Sequence, residues 1–596
     1  MKRPEHISEN SIAVLPFKNM SSDKENEYFS DGITEELINA LTRVEGLSVI
    51  ARSSAFTYKG QDIDPRRIGS DLGVTYILEG SVRKANDRVR VTAQLIKTSD
   101  CFHLFSEVYD RELKDIFEVQ DDISNKIVRK FTDKTGFPGT KGSLVTSSTE
   151  NTEAYELYLK GRFNLSKGSL EATRTAIILF EAALQKDRGF VLPYAGLAAC
   201  YNFLGGSGFM NYREAFILAR EYANKTIQID DGVAETHLSL AKVGFWGDWD
   251  FETTGIHIKK AVQLSPGTSD IHGFNALFLM ASGKLDEALI EGQLAAKLDP
   301  LSVEGKFRLG ELYYRSERFV EAIEIFDEIL STHPYFNQAS IFKAWSHLFL
   351  GDPETAAKLF STIPISTDES MTFHGGLAFA WYKLMKYDRV LETLQQFKSE
   401  VNKGKKHWLN YHYALIFRAL GEREKMFQHL ERCLQEKSTP VLFIKVDPVW
   451  NQFRSDEEFI KLVEKSFNPE KGEQMVTIKS DTKEELSIDL NRLVFIEAQE
   501  NYSRIVWREE KGIREKLLRV TLKHVADQLA DDNIVRCHRS FIINTKARFT
   551  ITGNSNGYHL KTKLTDDSIP ISRSLGKEIV KRLRSYEKTG SPADLS

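Results

Sequence analysis

Three short clusters of basic and polar residues stand out near the C-terminus of this 596-residue chain. They are Asn501-Tyr-Ser-Arg504, Arg536-Cys-His-Arg-Ser540 and Ile571-Ser-Arg-Ser574. Each adjoins an apolar run typical of a short strand, so we place the clusters at strand ends and not on a helix. Arginine carries a planar fork of donors that fits guanine or a phosphate, and serine and asparagine reach the same groups at shorter range. The clusters therefore predict contacts with nucleic acid.

The charge balance of this region agrees with an anionic partner. Residues 475–588 include 22 Lys or Arg and 16 Asp or Glu, a net charge of +6, whereas the whole chain has a formal charge of -4. A basic module on an otherwise acidic chain favours an anionic partner of its own. Charge alone would fit a membrane surface or simple solubility equally well, so the prediction rests on the clusters.

The elements that must position the clusters are short strands. Apolar runs predict strands at 476–479, 493–498, 503–507, 534–543 and 558–564. One short helix interrupts them, with Thr521 as its N-cap and Leu522, Val525, Ala526 and Leu529 on its buried face. A last basic helix is predicted from about residue 574 to 586.

This region resembles the LytTR family of DNA-binding domains. The matching text is Val494-Phe-Ile-Glu-Ala-x-x-Asn-Tyr502, Thr521-Leu-Lys523, Val535-Arg-Cys-His-Arg-Ser-Phe541 with Asn544, and Ile569-Pro-Ile-Ser-Arg-Ser574. The resemblance implies a predominantly β domain over 475–590 that inserts loops, and not a recognition helix, into successive major grooves of double-stranded DNA.

The resemblance also implies which residues contact DNA. Base-edge contacts fall at Ser503 or Arg504, at Arg539 and at Arg573, and the residues expected beside phosphates are Arg536, His538 and Ser572. Several members have histidine where this chain has Ser503, which leaves open the base that is read there. Asn501 either contacts DNA or shapes a turn, as does Asn544, and His538 could instead be a structural histidine. The aromatic residues Phe495, Tyr502 and Phe541 are expected in the core.

The middle of the chain, from 151 to 467, has an internal repeat of 34 residues. Pro266, Pro300 and Pro334 are 34 apart, and so are Ala288, Ala322 and Ala356. This spacing, with helical apolar patterns between the prolines, resembles the tetratricopeptide family. The resemblance implies an all-α solenoid whose groove binds a protein or peptide, and 446–459 is expected to cap its C-terminal end.

The first region, 11–130, mixes strand and helix patterns and precedes a Gly/Ser/Thr-rich linker at 136–150. Strands are expected at 12–17, 76–82 and 88–96, and a helix at 34–41 with Thr34 as its N-cap. The text Ile12-Ala-Val-Leu-Pro-Phe17, Ser30-Asp-Gly-Ile-Thr-Glu-Glu-Leu37, Gly80-Ser-Val82, Arg90-Val-Thr-Ala-Gln-Leu95 and Tyr109-Asp-Arg111 resembles a TolB-like α/β domain. That resemblance implies no chemistry, and Asp31 and Asp110 are expected to be helix-edge or turn carboxylates.

Several function classes are disfavoured. The four cysteines are scattered without a Cys-x-x-Cys pair, which excludes a zinc ribbon. There is no Gly-rich phosphate loop, His/Glu metal motif or Gly-x-Ser-x-Gly elbow. We therefore expect no catalytic residue, cofactor or metal. The N-terminus lacks an apolar signal region and no apolar run reaches the length of a membrane span, so we expect a cytoplasmic protein.

Together these patterns predict a multidomain chain: an N-terminal α/β (α+β) domain, a central tetratricopeptide solenoid and a C-terminal LytTR-like domain. The predicted function is a bacterial transcriptional regulator that binds promoter DNA, with input from a protein or peptide in the solenoid groove. Expected partners are double-stranded DNA with repeated sites, an unidentified groove ligand and a second copy of the chain on DNA. The alternative is a scaffold whose C-terminal domain binds protein, and an enzyme is the weakest hypothesis.

Overall fold

The computed structural model describes residues 8–135, 149–364, 373–402, 409–467, 475–482, 484–509, 512–529, 533–545, 547, 549–554, 557–562, 565, 567–572, 574–576, 579–580 and 583. The chain divides into two compact units, Met1–Phe467 and Asn468–Ser596. Most of the expected linker and of the last basic helix lies outside the described residues. Within the described residues no helix is long and apolar enough to cross a membrane.

The first unit begins with a mixed sheet whose strand order is β3-β1-β4-β5-β6, with β2 beside β4. Strands β1, β3 and β4 run parallel, and β4, β5 and β6 form an antiparallel meander. The strands are β1 (Ser8–Val14), β2 (Lys18–Asn19), β3 (Ser48–Val49), β4 (Val74–Ala85), β5 (Arg88–Lys97) and β6 (His103–Glu112). The helices are α1 (Glu27–Thr42), α2 (Arg52–Ala55), α3 (Pro65–Leu72) and α4 (Ile116–Thr135). The predicted strand pair 76–82 and 88–96 is confirmed by the long hairpin of β4 and β5.

The predicted N-cap at Thr34 is wrong. Helix α1 begins at Glu27, so Thr34 lies in its middle. The buried Thr34 hydroxyl donates to Ser30 O over 2.8 Å and accepts from Phe17 N over 3.1 Å. The threonine therefore satisfies the backbone N–H of a residue that follows β1, and not a free N–H group at a helix start.

In the described residues of the first unit, α4 is followed by an array of sixteen helices, most of which pair as antiparallel hairpins, and by one more helix after the array. They are α5 (Thr152–Leu165), α6 (Leu170–Lys186), α7 (Val191–Gly206), α8 (Tyr212–Ile229), α9 (Ala234–Lys242), α10 (Phe251–Leu264), α11 (Ser269–Ala281), α12 (Leu285–Leu298), α13 (Val303–Arg315), α14 (Phe319–Thr332), α15 (Asn337–Phe349), α16 (Pro353–Ser361), α17 (Phe373–Lys383), α18 (Tyr387–Asn402), α19 (Leu409–Ala419) and α20 (Arg423–Gln435). A further helix, α21 (Glu457–Phe467), ends the unit.

The small residues of the 34-residue repeat lie where helices approach closely. Ala288, Ala322 and Ala356 are fully buried. A Cβ atom added to Gly310 of α13 would lie 2.6 Å from the Phe326 ring of α14, so only glycine permits this helix pair to pack as closely as it does. The repeat predicted from the sequence therefore corresponds to the packing unit of the array.

The N-terminal sheet and the first hairpins share one hydrophobic core. Buried side chains between 12 and 128 and between 154 and 200 form a single cluster. Arg162 of α5 reinforces this contact, since its Nε donates to Glu35 of α1 over 2.9 Å and its Nη1 donates to Glu235 of α9 over 2.7 Å. The expected boundary between 130 and 151 therefore does not separate two cores.

Residues 437–453, here called the inner segment, do not simply cap the end of the array. Each hairpin has a turn that joins its two helices, and the inner segment contacts these turns in three successive hairpins. The three contacted residues are about one repeat apart in the sequence. The contacts are Lys437 Nζ to Asp248 O (3.0 Å), Lys445 Nζ to Ser282 O (3.2 Å) and Asn451 Nδ2 to Glu317 Oε1 (2.9 Å). Trp450 is fully buried in the core of the array. The expectation of an end cap at 446–459 is thus corrected for this segment, whereas α21 packs at the end.

At the centre of the inner segment, Asp447 accepts hydrogen bonds from first helices of the hairpins. Arg315 Nη1 lies 2.8 Å from Asp447 Oδ2, and both side chains are less than a tenth exposed. Tyr314 Oη and Tyr411 Oη donate to the two carboxylate oxygens over 3.3 and 3.1 Å. Burial raises the pKa of the Tyr314 and Tyr411 hydroxyl groups well above the usual value for tyrosine. Both hydroxyl groups therefore stay protonated and can donate to Asp447.

The second unit is built from three small sheets. A hairpin pairs β7 with β8, a five-stranded antiparallel sheet has the order β11-β10-β9-β13-β12, and a third sheet has the order β14-β15-β16. The strands are β7 (Met475–Lys479), β8 (Glu485–Asp489), β9 (Leu493–Gln499), β10 (Tyr502–Glu509), β11 (Gly512–Leu518), β12 (Ile534–His538), β13 (Phe541–Asn544), β14 (Thr550–Asn554), β15 (Gly557–Lys561) and β16 (Ser568–Pro570). The helix α22 (Leu522–Gln528) begins after Thr521, whose hydroxyl accepts from His524 N as predicted.

The five-stranded sheet is buried on both faces. Ile496 and Ile505 pack on one side with Leu522 and Val525 of α22. Phe495 and Val506, each one residue away in the sequence, belong to a second core that includes the β14-β15-β16 sheet. Alternate residues of a strand point to opposite faces, so each central strand contributes to both cores.

The predicted strand at 534–543 is two strands. β12 and β13 form an antiparallel hairpin in which Val535 lies opposite Ile543, and His538 lies opposite Phe541. The polar residues between them, which we placed at a strand end, form the turn of this hairpin.

Candidate nucleic-acid interface

The three basic and polar clusters meet at one end of the five-stranded sheet. The β9–β10 turn contains Asn501, and the β12–β13 turn contains Arg539. Since Phe541 at the start of β13 pairs with Glu497 near the end of β9, both turns lie at the same end of the sheet. A backbone hydrogen bond from Ala498 N to Ser540 O (2.8 Å) joins them.

The third cluster reaches the same end through the chain that follows β16. Ser572 N donates to Cys537 O over 2.8 Å, which holds this chain against the end of β12. The Ser572 and Ser574 hydroxyl oxygens lie 3.0 Å apart. Arg573 lies outside the described residues. The structure therefore brings together three clusters that are separated by more than 30 residues in the sequence.

Both arginines of the middle cluster are exposed. Arg536 Nη2 donates to Arg539 O over 2.8 Å, which braces the hairpin turn. Within the described part of the chain, no carboxylate pairs with either guanidinium group. An exposed arginine on a braced turn keeps its donor fork available for a base edge or a phosphate.

His538 is half-buried beneath this turn. Its Nδ1 accepts a hydrogen bond from Ser540 N over 3.3 Å. Burial, and to a lesser extent the charge of Arg539, lowers the pKa of His538 below its usual range, so the ring is neutral at pH 7. Because Nδ1 is an acceptor, the proton of the neutral ring is on Nε2, which is then a donor. Nδ1 of His538 thus supports the turn, and Nε2 can donate a hydrogen bond to a ligand.

The prediction that Ser503 contacts a base is wrong. The side chain is fully buried, and its hydroxyl donates to Val520 O over 2.8 Å. Ser503 shares its face of β10 with Ile505, whose side chain belongs to the core that includes α22.

Arg504 is exposed by only 20% and is surrounded by three carboxylates. Its Nε donates to Glu515 Oε2 over 2.8 Å, and its Nη1 donates to Glu497 Oε2 and to Asp567 Oδ1 over 3.1 Å each. These bonds, above all the one to Asp567, raise the pKa of Arg504. Asp567 directly precedes β16, the strand that leads to the third cluster. Arg504 therefore connects β9, β10 and β11 to the chain that carries Ser572.

Replacement of Arg504 by alanine is expected to lower the melting temperature of the second unit most strongly at low salt. The change leaves the carboxylates of Glu497, Glu515 and Asp567 close together without a cation, and salt screens the repulsion between partly exposed like charges. Melting curves of the 471–596 fragment at low and at high ionic strength measure the effect. Lys523→Ala, which removes an exposed cation of α22, is the control and should cause a small shift without this trend. A loss for Arg504→Ala that does not change with salt would contradict the explanation.

Sequence reasoning missed one exposed side chain at this end of the sheet. Tyr502 was expected in the core but is 39% exposed. It follows Asn501, which is exposed in the turn after Glu500, a residue with a φ of 55°. By contrast, Asn544 is buried, and its Nδ2 donates over 2.9 Å to the backbone oxygen of Leu490, in the turn that precedes β9. Of the two alternatives for Asn544, a contact with DNA or a turn-shaping role, the structure favours the second.

Comparison with known families identifies the region that contains this surface. Residues 483–584 match the family model of the LytTr DNA-binding domain. This stretch is a LytTr DNA-binding domain. Residues 8–126 match a second model, described as the second domain of a HilA/YgeH-like transcriptional regulator. The TolB-like resemblance of the first region stays a prediction.

Two curated relatives match longer stretches of the chain. Putative adenylate cyclase 3 of Rhizobium meliloti (strain 1021) is 38% identical over 248 residues, which are 41% of this chain and 41% of that protein. The transcriptional regulator HilA of Salmonella typhimurium is 24% identical over 401 residues, which are 65% of this chain and 68% of that protein. The chain thus spans less than half the length of the first relative.

Solved structures similar to this chain include a LytTr DNA-binding domain and a tetratricopeptide repeat protein. A LytTr DNA-binding domain of a putative methyl-accepting/DNA response regulator from Bacillus cereus is 22% identical and covers 18% of this chain and 95% of its own, with a TM-score of 0.16. A tetratricopeptide repeat protein from Parabacteroides merdae is 16% identical and covers 53% of this chain and all of its own, with a TM-score of 0.30.

Proposed function

We propose that this chain is a transcriptional regulator that binds promoter DNA with the end of the five-stranded sheet of its LytTr domain. The observation that carries the proposal is the meeting of the three clusters at that end, inside the residues that the LytTr model matches. The similarity to HilA over 401 residues supports a regulatory role.

Within this surface we assign different roles to the candidate residues. Arg539 and Arg573 read base edges, because a guanidinium fork fits the acceptors of guanine. Arg536, His538 and Ser572 lie beside phosphates, and Asn501 contacts the backbone from its exposed turn. Arg504 positions the third cluster through Asp567 and does not read a base.

A gel-shift titration of the chain with genomic fragments tests the proposal. We expect a sequence-selective complex whose affinity falls steeply with salt, by a slope of about 0.9 in log–log units for each phosphate contact. The 471–596 fragment should select the same sequences from a random pool, since this unit has hydrophobic cores of its own. Absence of any selective complex at moderate salt would favour the alternative, a scaffold whose C-terminal domain binds protein.

Input to the regulator comes from the helical array in this proposal. We expected a protein or peptide in the groove, yet the chain's own inner segment is hydrogen-bonded to Tyr314 and Tyr411 of α13 and α19. We therefore propose that a partner binds another surface of the array. This chain matches only 41% of the adenylate cyclase relative, so the proposal includes no catalytic role.

A further inference from the structure

Four successive hairpins carry an exposed isoleucine at the same position of their second helix. In α6, α8, α10 and α12 a fully buried small residue packs into the hairpin, and an isoleucine follows two positions later. The buried residues are Ala176, Ala215, Thr254 and Ala288, and the isoleucines are Ile178, Ile217, Ile256 and Ile290. Two residues correspond to about 200° around a helix, so these isoleucines point away from the hairpin that the small residues fill.

The isoleucines are between 50% and 66% exposed. A single exposed isoleucine is ordinary on a protein surface. A row at equivalent positions of four stacked hairpins is different, because aligned apolar side chains mark an interaction surface. The second helices of the next three hairpins are α14, α16 and α18. At the same position they carry the exposed polar residues Glu324, Lys358 and Glu392. The repeat therefore tolerates polar residues here, and packing within the array does not require isoleucine.

Charges flank the row in a pattern that reverses between α8 and α10. Four residues before the isoleucine, the exposed side chains are Arg174 and Arg213 in α6 and α8, but Glu252 and Asp286 in α10 and α12. On the other flank, α6 and α8 carry the exposed Glu181 and Glu221, whereas α10 carries Lys259 and Lys260. Three side chains of this flank also pair within their own chain: Arg220 with Asp248, Glu221 with Lys225, and Lys260 with Asp231. The pair of Glu221 with Lys225 is exposed and therefore weak, so Glu221 can also meet a cation of a second copy.

This pattern is complementary to itself. If a second copy is related by a two-fold axis parallel to the helices and between α8 and α10, then α8 of one copy lies over α10 of the other. Arg213 then meets Glu252, and Glu221 meets Lys259, while Ile217 lies against Ile256. A two-fold interface requires that one patch match itself in this way.

We propose that the row Ile178, Ile217, Ile256 and Ile290 with its flanking charges is the surface through which two copies of this chain associate. The association of two copies does not depend on DNA binding. Its use, which is to bring two LytTr domains to one promoter, rests on the proposed function. Two domains suit a promoter with two half-sites, since a dimer reads repeated sites at a fixed spacing.

Sedimentation velocity of the full chain without DNA tests the proposal. The wild type should sediment as a dimer of the 67.9 kDa chain, and Ile217→Glu with Ile256→Glu should raise the dissociation constant at least tenfold. Val320→Glu is the matched control, because Val320 is an equally exposed apolar residue of α14 outside the row, and its dimer should persist. Circular dichroism confirms that each variant is folded. A monomeric wild type, or a dimer unaffected by the double isoleucine change, would overturn the proposal.

Charge reversal tests the pairing of α8 with α10. Glu252→Lys with Lys259→Glu should weaken the dimer, since each reversed charge then meets its like on α8 of the second copy. Adding Arg213→Glu and Glu221→Lys should restore it. A dimer that the first pair of changes leaves intact would overturn the pairing of α8 with α10.

Discussion

Asp447→Ala is expected to lower the free energy of unfolding of the first unit by about 3–5 kcal/mol, the cost typical of removing one partner of a buried ion pair. The change leaves the Arg315 guanidinium, which is 7% exposed, without the carboxylate that lies 2.8 Å from it. It also removes the acceptor of the Tyr314 and Tyr411 hydroxyl groups. Glu311, 3.3 Å from Arg315, compensates only in part because it is already shared with Arg308.

Urea unfolding of the Met1–Phe467 unit measures this loss, and hydrogen exchange of the amides at 439–453 shows where it acts. The matched control is Asp327→Ala, which breaks a more exposed pair with Lys343 in the middle of α14 and should cost at most about 1 kcal/mol. If the inner segment holds the first helices together, exchange of its amides rises in Asp447→Ala alone. Equal losses in the two variants would show that the segment does not hold the array together.

Arg539→Ala is expected to weaken binding to the selected DNA sequence by about 1–3 kcal/mol, roughly 5- to 150-fold, with a much smaller loss on a scrambled duplex. The reason is that a bidentate arginine distinguishes one base from another, whereas a phosphate contact does not. Arg573→Ala should behave in the same way. Titrations of each variant against both duplexes at one salt concentration give the comparison.

Arg514→Ala provides the control for this experiment. Arg514 is exposed and basic but lies on β11 opposite Trp507, toward the far end of β10 from Tyr502. Its removal changes the charge of the domain by the same amount and should leave the ratio of the two affinities unchanged. If Arg539→Ala weakened both duplexes equally, Arg539 would be a phosphate contact.

The sequence predicted those features that depend on residues close to one another in the chain or on a regular repeat. The 34-residue period located the hairpins, because each repeat must place a small residue where its two helices meet. The cap at Thr521 was also predicted, since a cap is made by residues three positions apart. The three basic and polar clusters were found for the same reason, because residue type and neighbouring strand patterns are local.

The sequence alone misassigned individual side chains within those clusters. Ser503 was expected at DNA and is buried, and Tyr502 was expected in the core and is exposed. Both errors have one cause, which is that a strand covered on both faces hides the alternation of apolar and polar residues. The ion pairs of Arg504 were not predicted, because its partner Asp567 is 63 residues away in the sequence.

What the sequence by itself determined is therefore the kind of each region: an α/β start, a helical repeat array and a β-rich LytTr domain with arginines at strand ends. Only the tertiary structure decided that the three clusters meet at one end of one sheet. It also decided that the inner segment packs against the first helices of the hairpins. The physical reason is that periodicity records which side chains are apolar but not which distant segment covers them. Asp447 and Tyr314 are 133 residues apart, and they become hydrogen-bond partners only when the inner segment packs into the folded array.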